Sequence, residues 1–176
     1  AFPLAVCRKS GVCDVLPVLA RADVLPPSLV AGDRILLKGQ LRAYGVPRAP
    51  DEPFTNRVRI HAFARMVLRT DAPDENAVML TGRIHRPPSV RTTPLGREIC
   101  DLSLAVERSF GRVDRLPVIA WGGNAHLAGA WRVGDVVAVT GRLQSRGYTK
   151  VLPDGAALDM VAYEVSAASV HRVSEG

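Results

Sequence analysis

Residues 4–20 read LAVCRKSGVCDVLPVLA, and residues 104–120 read LAVERSFGRVDRLPVIA. Ten of these seventeen positions match at an offset of 100, among them Arg8 with Arg108, Asp14 with Asp114, and Leu16-Pro17-Val18 with Leu116-Pro117-Val118. Further on, Gly39, Leu41 and Gly45 answer to Gly141, Leu143 and Gly147, now at an offset of 102. A change of two in the offset is what one loop insertion between two copies leaves behind. The period is too long for a solenoid, whose repeats run about 20–50 residues. The chain therefore reads as one small domain twice over, residues 1–72 and 73–176.

The copies differ at their starts. An extended stretch, residues 76–103, precedes Leu104, and nothing before Leu4 answers to it. The first copy is expected to lack its opening strand here, so its barrel should be filled by another segment or stand visibly open.

Local patterning sets the fold class. In the second copy, alternation of apolar and polar residues predicts strands over residues 77–84, 97–108, 115–121, 135–148 and 159–170. Residues 124–131 are the one convincing helix. Val78, Leu80 and Ile84 take the inner face of the first strand, and Cys100, Leu102, Leu104 and Val106 that of the second. Three strands, a short helix and two strands is the order of the OB-fold, a five-stranded, partly open barrel. The first copy supplies the later part of the same order, with strands over residues 2–8, 15–20, 34–44 and 57–68, a connection over 23–31 and a long loop over 46–53. The fold is all-β: two tandem OB-folds, the first without its N-terminal strand.

Composition narrows the function. A hydrophobic fraction of 47% supports real cores, and no run approaches the ~20 apolar residues of a membrane span. Three cysteines without a CxxC make neither a disulfide framework nor a zinc site, and a reduced, cytoplasmic setting is the expectation. The net charge of +6 suits a polyanion without proving one. The phosphate-cradling GxxxxGK[ST], HExxH and GxSxG are absent. The four histidines are scattered, and no carboxylates cluster to hold a metal. No enzyme activity, cofactor or metal is expected.

The sharpest local signal is Gly141-Arg142-Leu143-Gln144-Ser145-Arg146-Gly147-Tyr148. Period two places Arg142, Gln144, Arg146 and Tyr148 on one face, with Val137, Val139 and Leu143 toward the core. Guanidinium groups beside an outward ring suit phosphates and an unstacked base; the competing reading is a solvated strand face. Trp121 ends a strand before two glycines, and Phe110 sits at a hairpin tip with little core to fill. Arg83, Arg86, Arg91 and Arg97 line the first hairpin and together could extend a phosphate track, as could Lys150 just beyond the fourth strand. Trp131 and Tyr163 read as packing.

These stretches, together with Asn76-Ala77-Val78-Met79-Leu80-Thr81-Gly82-Arg83-Ile84 and Thr92-Thr93-Pro94-Leu95-Gly96, resemble bacterial single-stranded DNA-binding proteins. Residues 93–101, 104–108, 117–125 and 141–146 further resemble a tandem-OB variant of the family found in some Gram-positive bacteria. The resemblance implies sequence-tolerant binding and protection of single-stranded DNA in replication, recombination or repair, in the cytoplasm at the nucleoid. It places stacking aromatics on Phe110, Trp121 and Tyr148 and basic contacts on Arg142 and Arg146. The first copy matches more loosely; it has Arg21 opposite Trp121, and Tyr44 is its only fourth-strand aromatic. It is expected to bind DNA more weakly or to serve assembly. The resemblance also implies a homodimer that presents four barrels. The sequence ends at Ser174-Glu175-Gly176 without the acidic tip through which the family recruits replication and repair proteins. An OB adaptor for protein assembly, of primosome type, and an RNA-binding OB protein are the alternatives.

Overall fold

A computed structural model describes residues 1–45 and 58–174, so the expected loop over residues 46–53 lies outside the described residues. The first unit contains β1 (Phe2–Cys7), β2 (Cys13–Leu19), β3 (Ile35–Gly45) and β4 (Val58–Arg69), in the sheet order β1-β2-β4-β3. The second contains β5 (Val78–Ile84), β6 (Ser89–Thr92), β7 (Glu98–Arg108), β8 (Arg112–Trp121), α1 (Gly123–Gly129), β9 (Val136–Val151) and β10 (Ala157–Arg172). Its order is β5-β9-β10-β8-β7-β6, and β5 also pairs with β7, which closes the barrel. The alternation carried the strand assignments; β6 is an addition. The helix is shorter than residues 124–131 suggest, because Ala130 and Trp131 close it with turn bonds to Leu127 and Ala128. The Trp131 ring is buried in the core.

The repeat is structural down to its irregularities. Parallel pairing joins β2 to β4 through Val18 and Ala62, and β8 to β10 through Val118 and Val165. A bulge interrupts the antiparallel ladder at Gly39 in one copy and at Gly141 in the other. A Cβ at Gly39 would lie 2.1 Å from the Phe63 carbonyl oxygen, and at Gly141 2.0 Å from that of Ser166. Only glycine lets the crossing strand approach so closely. The two-residue change of offset falls between Val118 and Gly141, where the second copy builds α1 and the first makes a single 3-10 turn, Ala22–Val24.

The first barrel is open. In the second, β5 sits between β7 and β9; in the first, the equivalent strands β1 and β3 do not pair with each other, and a cleft of about 1180 Å³ lies between them. Asp74, in the short linker between β4 and β5, bridges it at one point, accepting the Cys7 N–H at 2.7 Å and pairing with Arg34 at 2.7 Å. Cys7 and Cys13 face each other at the end of the β1–β2 hairpin and form a disulfide. This corrects the expectation of no disulfide: antiparallel register brings together two cysteines that sequence spacing alone does not pair. Cys100 is free and buried.

The two units share one core. Leu16 and Ile60 of the first pack in the same cluster as Leu116 and Leu143 of the second, with Val6, Leu41 and Val106 at its margin. Two aspartates, each 1% exposed, lock the contact reciprocally. Asp114 pairs with Arg108 at 2.7 Å and accepts the Ala43 N–H across the seam at 2.9 Å. Asp14 pairs with Arg8 at 2.7 Å and accepts the Ser145 N–H across the seam at 2.9 Å. Equivalent residues make equivalent bonds in both directions, which is the signature of an approximate twofold relation.

Candidate nucleic-acid interface

Antiparallel register sets the chemistry of the outer face of the second barrel. Arg142, Gln144, Arg146 and Tyr148 on β9 stand opposite Ser166, Glu164, Ala162 and Met160 on β10. Val137, Val139 and Leu143 alternate with them and are buried, as the period requires. Gln144, however, does not point outward: it is 7% exposed, and its Nε2 donates to Glu164 Oε1 at 3.2 Å. The reason is Glu164, a buried carboxylate from the neighbouring strand that draws in the polar groups around it. Arg146 Nε donates to the same oxygen at 3.0 Å, and Arg142 Nη2 donates to Gln144 at 3.4 Å. Arg146 keeps half its side chain in solvent, and its guanidinium lies 5.7 Å from the Tyr148 ring centroid. The carboxylate thus holds an arginine in position beside an exposed ring. Lys150, two residues beyond Tyr148, is partly buried near the end of the strand.

Trp121 closes the other end of this face. Its indole is partly exposed, and Nε1 donates to Ser166 Oγ at 3.2 Å. With Arg97, Glu98 and Gly122 it lines a shallow depression of about 360 Å³. Ser166 and Met160 lie six residues apart on β10, so the face from Trp121 to Tyr148 runs roughly 20 Å at about 3.3 Å per residue. Arg91 stands opposite Ile99, itself opposite Trp121, but it is engaged with Asp101. Arg83 lies elsewhere: it pairs with Ala105, six residues along β7 from Ile99, and donates to the Gly134 carbonyl at 3.2 Å. The arginines therefore do not form one continuous line.

Phe110 is the most unusual side chain of the surface. It is fully exposed at the tip of the β7–β8 hairpin, in the left-handed region with φ 64°. A bulky residue held so is strained by about 1–3 kcal/mol, a cost tolerated chiefly at functional sites.

The outer face of the first barrel holds a cluster that the sequence reading missed. Arg42 lies over the Phe63 ring, 3.5 Å from its centroid, and Arg65 reaches the same ring at 5.5 Å. Both guanidinium groups donate to Gln40 Oε1 at 3.4 Å. Tyr44, half exposed, packs edge-on against His61 at 5.4 Å. Burial lowers the pKa of His61, and the Arg42 charge lowers it further. Burial also lowers that of Arg42, helped by the like charges of Arg108, Arg65 and Arg112 and opposed by Asp114. The repeat does not signal this cluster, since Phe63 stands where the second copy has Ser166. Among the described residues, no group of three or more His, Cys, Asp or Glu is placed to hold a metal.

Comparison with known proteins gives these faces a context. The sequence profile of the Single-strand binding protein family matches residues 75–172. A single-stranded DNA-binding protein of Halalkalibacterium halodurans is 34% identical over 80 residues, covering 42% of this chain and 48% of that protein. Single-stranded DNA-binding protein A of Bacillus subtilis is likewise 34% identical over 80 residues, covering 42% and 46%. The chain spans about half the length of the curated relatives it matches. The crystal structure of the wild-type single-stranded DNA binding protein from Thermus aquaticus superposes with a TM-score of 0.74 at 24% identity, covering 99% of this chain and 79% of that one. That likeness extends over both barrels and concerns the fold. With the profile spanning more than half of its residues, and with the barrel to match, the chain belongs to the single-strand binding protein family.

Proposed function

We propose that this chain binds and protects single-stranded DNA with little regard to sequence, stacking bases on Trp121, Tyr148 and Phe110 and holding phosphates with Arg142, Arg146 and Arg97. The observation that carries the reading is the face between Trp121 and Tyr148, with an accessible aromatic at each end and arginines between. Stacking is worth about 1–3 kcal/mol per base and is indifferent to base identity. The protein acts by binding and not by catalysis. Two barrels in one chain support a tandem-barrel member, residues 1–72 and 73–176, of the kind matched by motif in Gram-positive bacteria. A homodimer would then present four barrels, and the site of action is the cytoplasm at the nucleoid. Among the described residues, no helix is long and apolar enough to cross a membrane.

Fluorescence tests the reading. Oligo-dT should quench tryptophan emission, Trp121→Ala should abolish most of the quench and cost about 1–3 kcal/mol of affinity, and Trp131→Phe should preserve it. Unchanged affinity with Trp121→Ala, accompanied by a lowered Tm, would return the indole to a packing role. Competition between oligo-dT and oligo-rU separates DNA from RNA as the ligand.

A further inference from the structure

The end of the β1–β2 hairpin carries chemistry that the matching hairpin of the second barrel lacks. Cys7 and Cys13 stand opposite each other in the ladder, both exposed to solvent, and are joined by a disulfide. They exchange no backbone hydrogen bonds: the Cys7 N–H turns away from β2 to Asp74, and the next bond toward the turn runs from the Arg8 N–H to the Val12 carbonyl at 2.8 Å. Side chains of such pairs lie closest across the strands. The register is fixed by the pairs from Phe2 with Val18 to Val6 with Asp14. The hairpin therefore keeps the two sulfurs together whether or not they are bonded.

The repeat shows that the seam does not require the bond. At the same place in the second barrel Glu107 stands opposite Val113, where no cross-link can form. Yet Arg108–Asp114 and Asp114–Ala43 have the 2.7 Å and 2.9 Å lengths of Arg8–Asp14 and Asp14–Ser145. An exposed disulfide of this kind belongs with the labile, regulatory ones. In the cytoplasmic setting proposed above, disulfides are rare, and those present are mostly transient and redox-sensing.

We propose that Cys7 and Cys13 are a site of reversible oxidation, exchanging with a low-molecular-weight thiol–disulfide couple, and that the bond sets how firmly this hairpin grips β9. Oxidation takes two exchanges. One cysteine thiolate attacks a sulfur of the small disulfide, forming a mixed disulfide and releasing a thiolate. The other cysteine then attacks the protein sulfur of that mixed disulfide, forming the Cys7–Cys13 bond and releasing the second thiolate. Both protein thiols are oxidised, the small disulfide is reduced to two thiols, and the two protons pass to them. Asp14 directly follows Cys13 and accepts the Ser145 N–H, and Ser145 directly precedes Arg146 of the proposed interface. The redox site stands without the reading as a single-strand binder; only its bearing on DNA rests on that reading.

Alkylation and amide exchange on the full chain test it. Folded protein equilibrated with glutathione should pass from two alkylatable thiols, Cys7 and Cys13, in mostly reduced buffer to none in mostly oxidised buffer, with buried Cys100 unlabelled in both. Cys13→Ser should instead retain one glutathione on Cys7. Reduction should speed exchange of the Cys7 and Ser145 amides roughly tenfold, within the usual range of a cross-link's contribution. Ala43, bonded to Asp114 in the matching seam, should keep its rate. A bond that survives mostly reduced glutathione, an unmodified Cys13→Ser chain, or Ser145 rates equal in the two states would overturn the proposal. So would equal acceleration at Ala43, which would make the bond a support of the whole chain. None of these readouts involves DNA, so their failure leaves single-strand binding standing, and failure to bind oligo-dT leaves the redox site standing.

Discussion

The two barrels share a chain trace and differ in what they show to solvent. Gly39 and Gly141 permit the same bulge, Arg8–Asp14 and Arg108–Asp114 make the same pair, and Leu16 and Leu116 enter the same core. Outside, Arg21 replaces Trp121, His61 replaces Glu164, and Phe63 replaces Ser166. Identity between the copies marks the scaffold, where hydrogen-bond geometry and close packing tolerate little. Difference marks the surface, where each copy has taken its own chemistry. The repeated Arg8 and Arg108 are the clearest case of identity: both hold a buried carboxylate at the seam.

The largest test of this comparison is to break the shared anchors. Asp14→Ala and Asp114→Ala should each destabilise the chain by about 3 kcal/mol, the lower end for breaking a buried pair, because the partner arginines retain some access to water. Near-equal losses in urea unfolding would support the twofold relation; a loss confined to one aspartate would break it. Acid sharpens the same point. The Arg8 guanidinium, aided by the Ser145 N–H, holds the Asp14 carboxyl below its usual range. Since the folded state depresses this pKa, the stabilisation is complete above the unfolded value of about 3.9 and is lost as pH falls through the lower folded value. Asp14→Asn should therefore flatten the acid limb of the stability curve below about pH 4.

A smaller effect is expected at the bulges. Gly39→Ala and Gly141→Ala each drive a methyl group into a carbonyl oxygen, and each should cost about 1–3 kcal/mol as the strands shift apart. If one barrel tolerates the alanine, the two bulges are not equivalent. Smallest is Ser166→Ala, which removes the acceptor of the Trp121 indole. It should cost about 0.5–1.5 kcal/mol of oligo-dT affinity, less than Trp121→Ala, with little change in Tm. An affinity equal to wild type would mean that the indole is positioned by something other than this hydrogen bond.

Much of the fold was legible because alternation reports burial directly: Val137, Val139 and Leu143 were assigned inward by period and lie there. The order of strands and the open first barrel followed from the repeat. The outer face was less legible, since a strand read alone does not disclose its neighbour. Gln144 has outward periodicity, and only the register with β10 brings Glu164 beside it. The Cys7–Cys13 bond and the Arg42–Phe63 stack depend likewise on pairing across strands. The seam was illegible for a further reason: a buried aspartate bonded to a backbone N–H in another domain leaves no local pattern.

The linker between the barrels is short, but it is not what sets their separation. The reciprocal aspartates and common core do that, so under the proposed function a strand held by one barrel would meet the other at an effective concentration fixed by a folded interface rather than by a flexible tether. On that proposal, any affinity gained from engaging both barrels would depend on the integrity of the seam. Loosening it would weaken avidity for long oligonucleotides while sparing short ones that engage a single barrel.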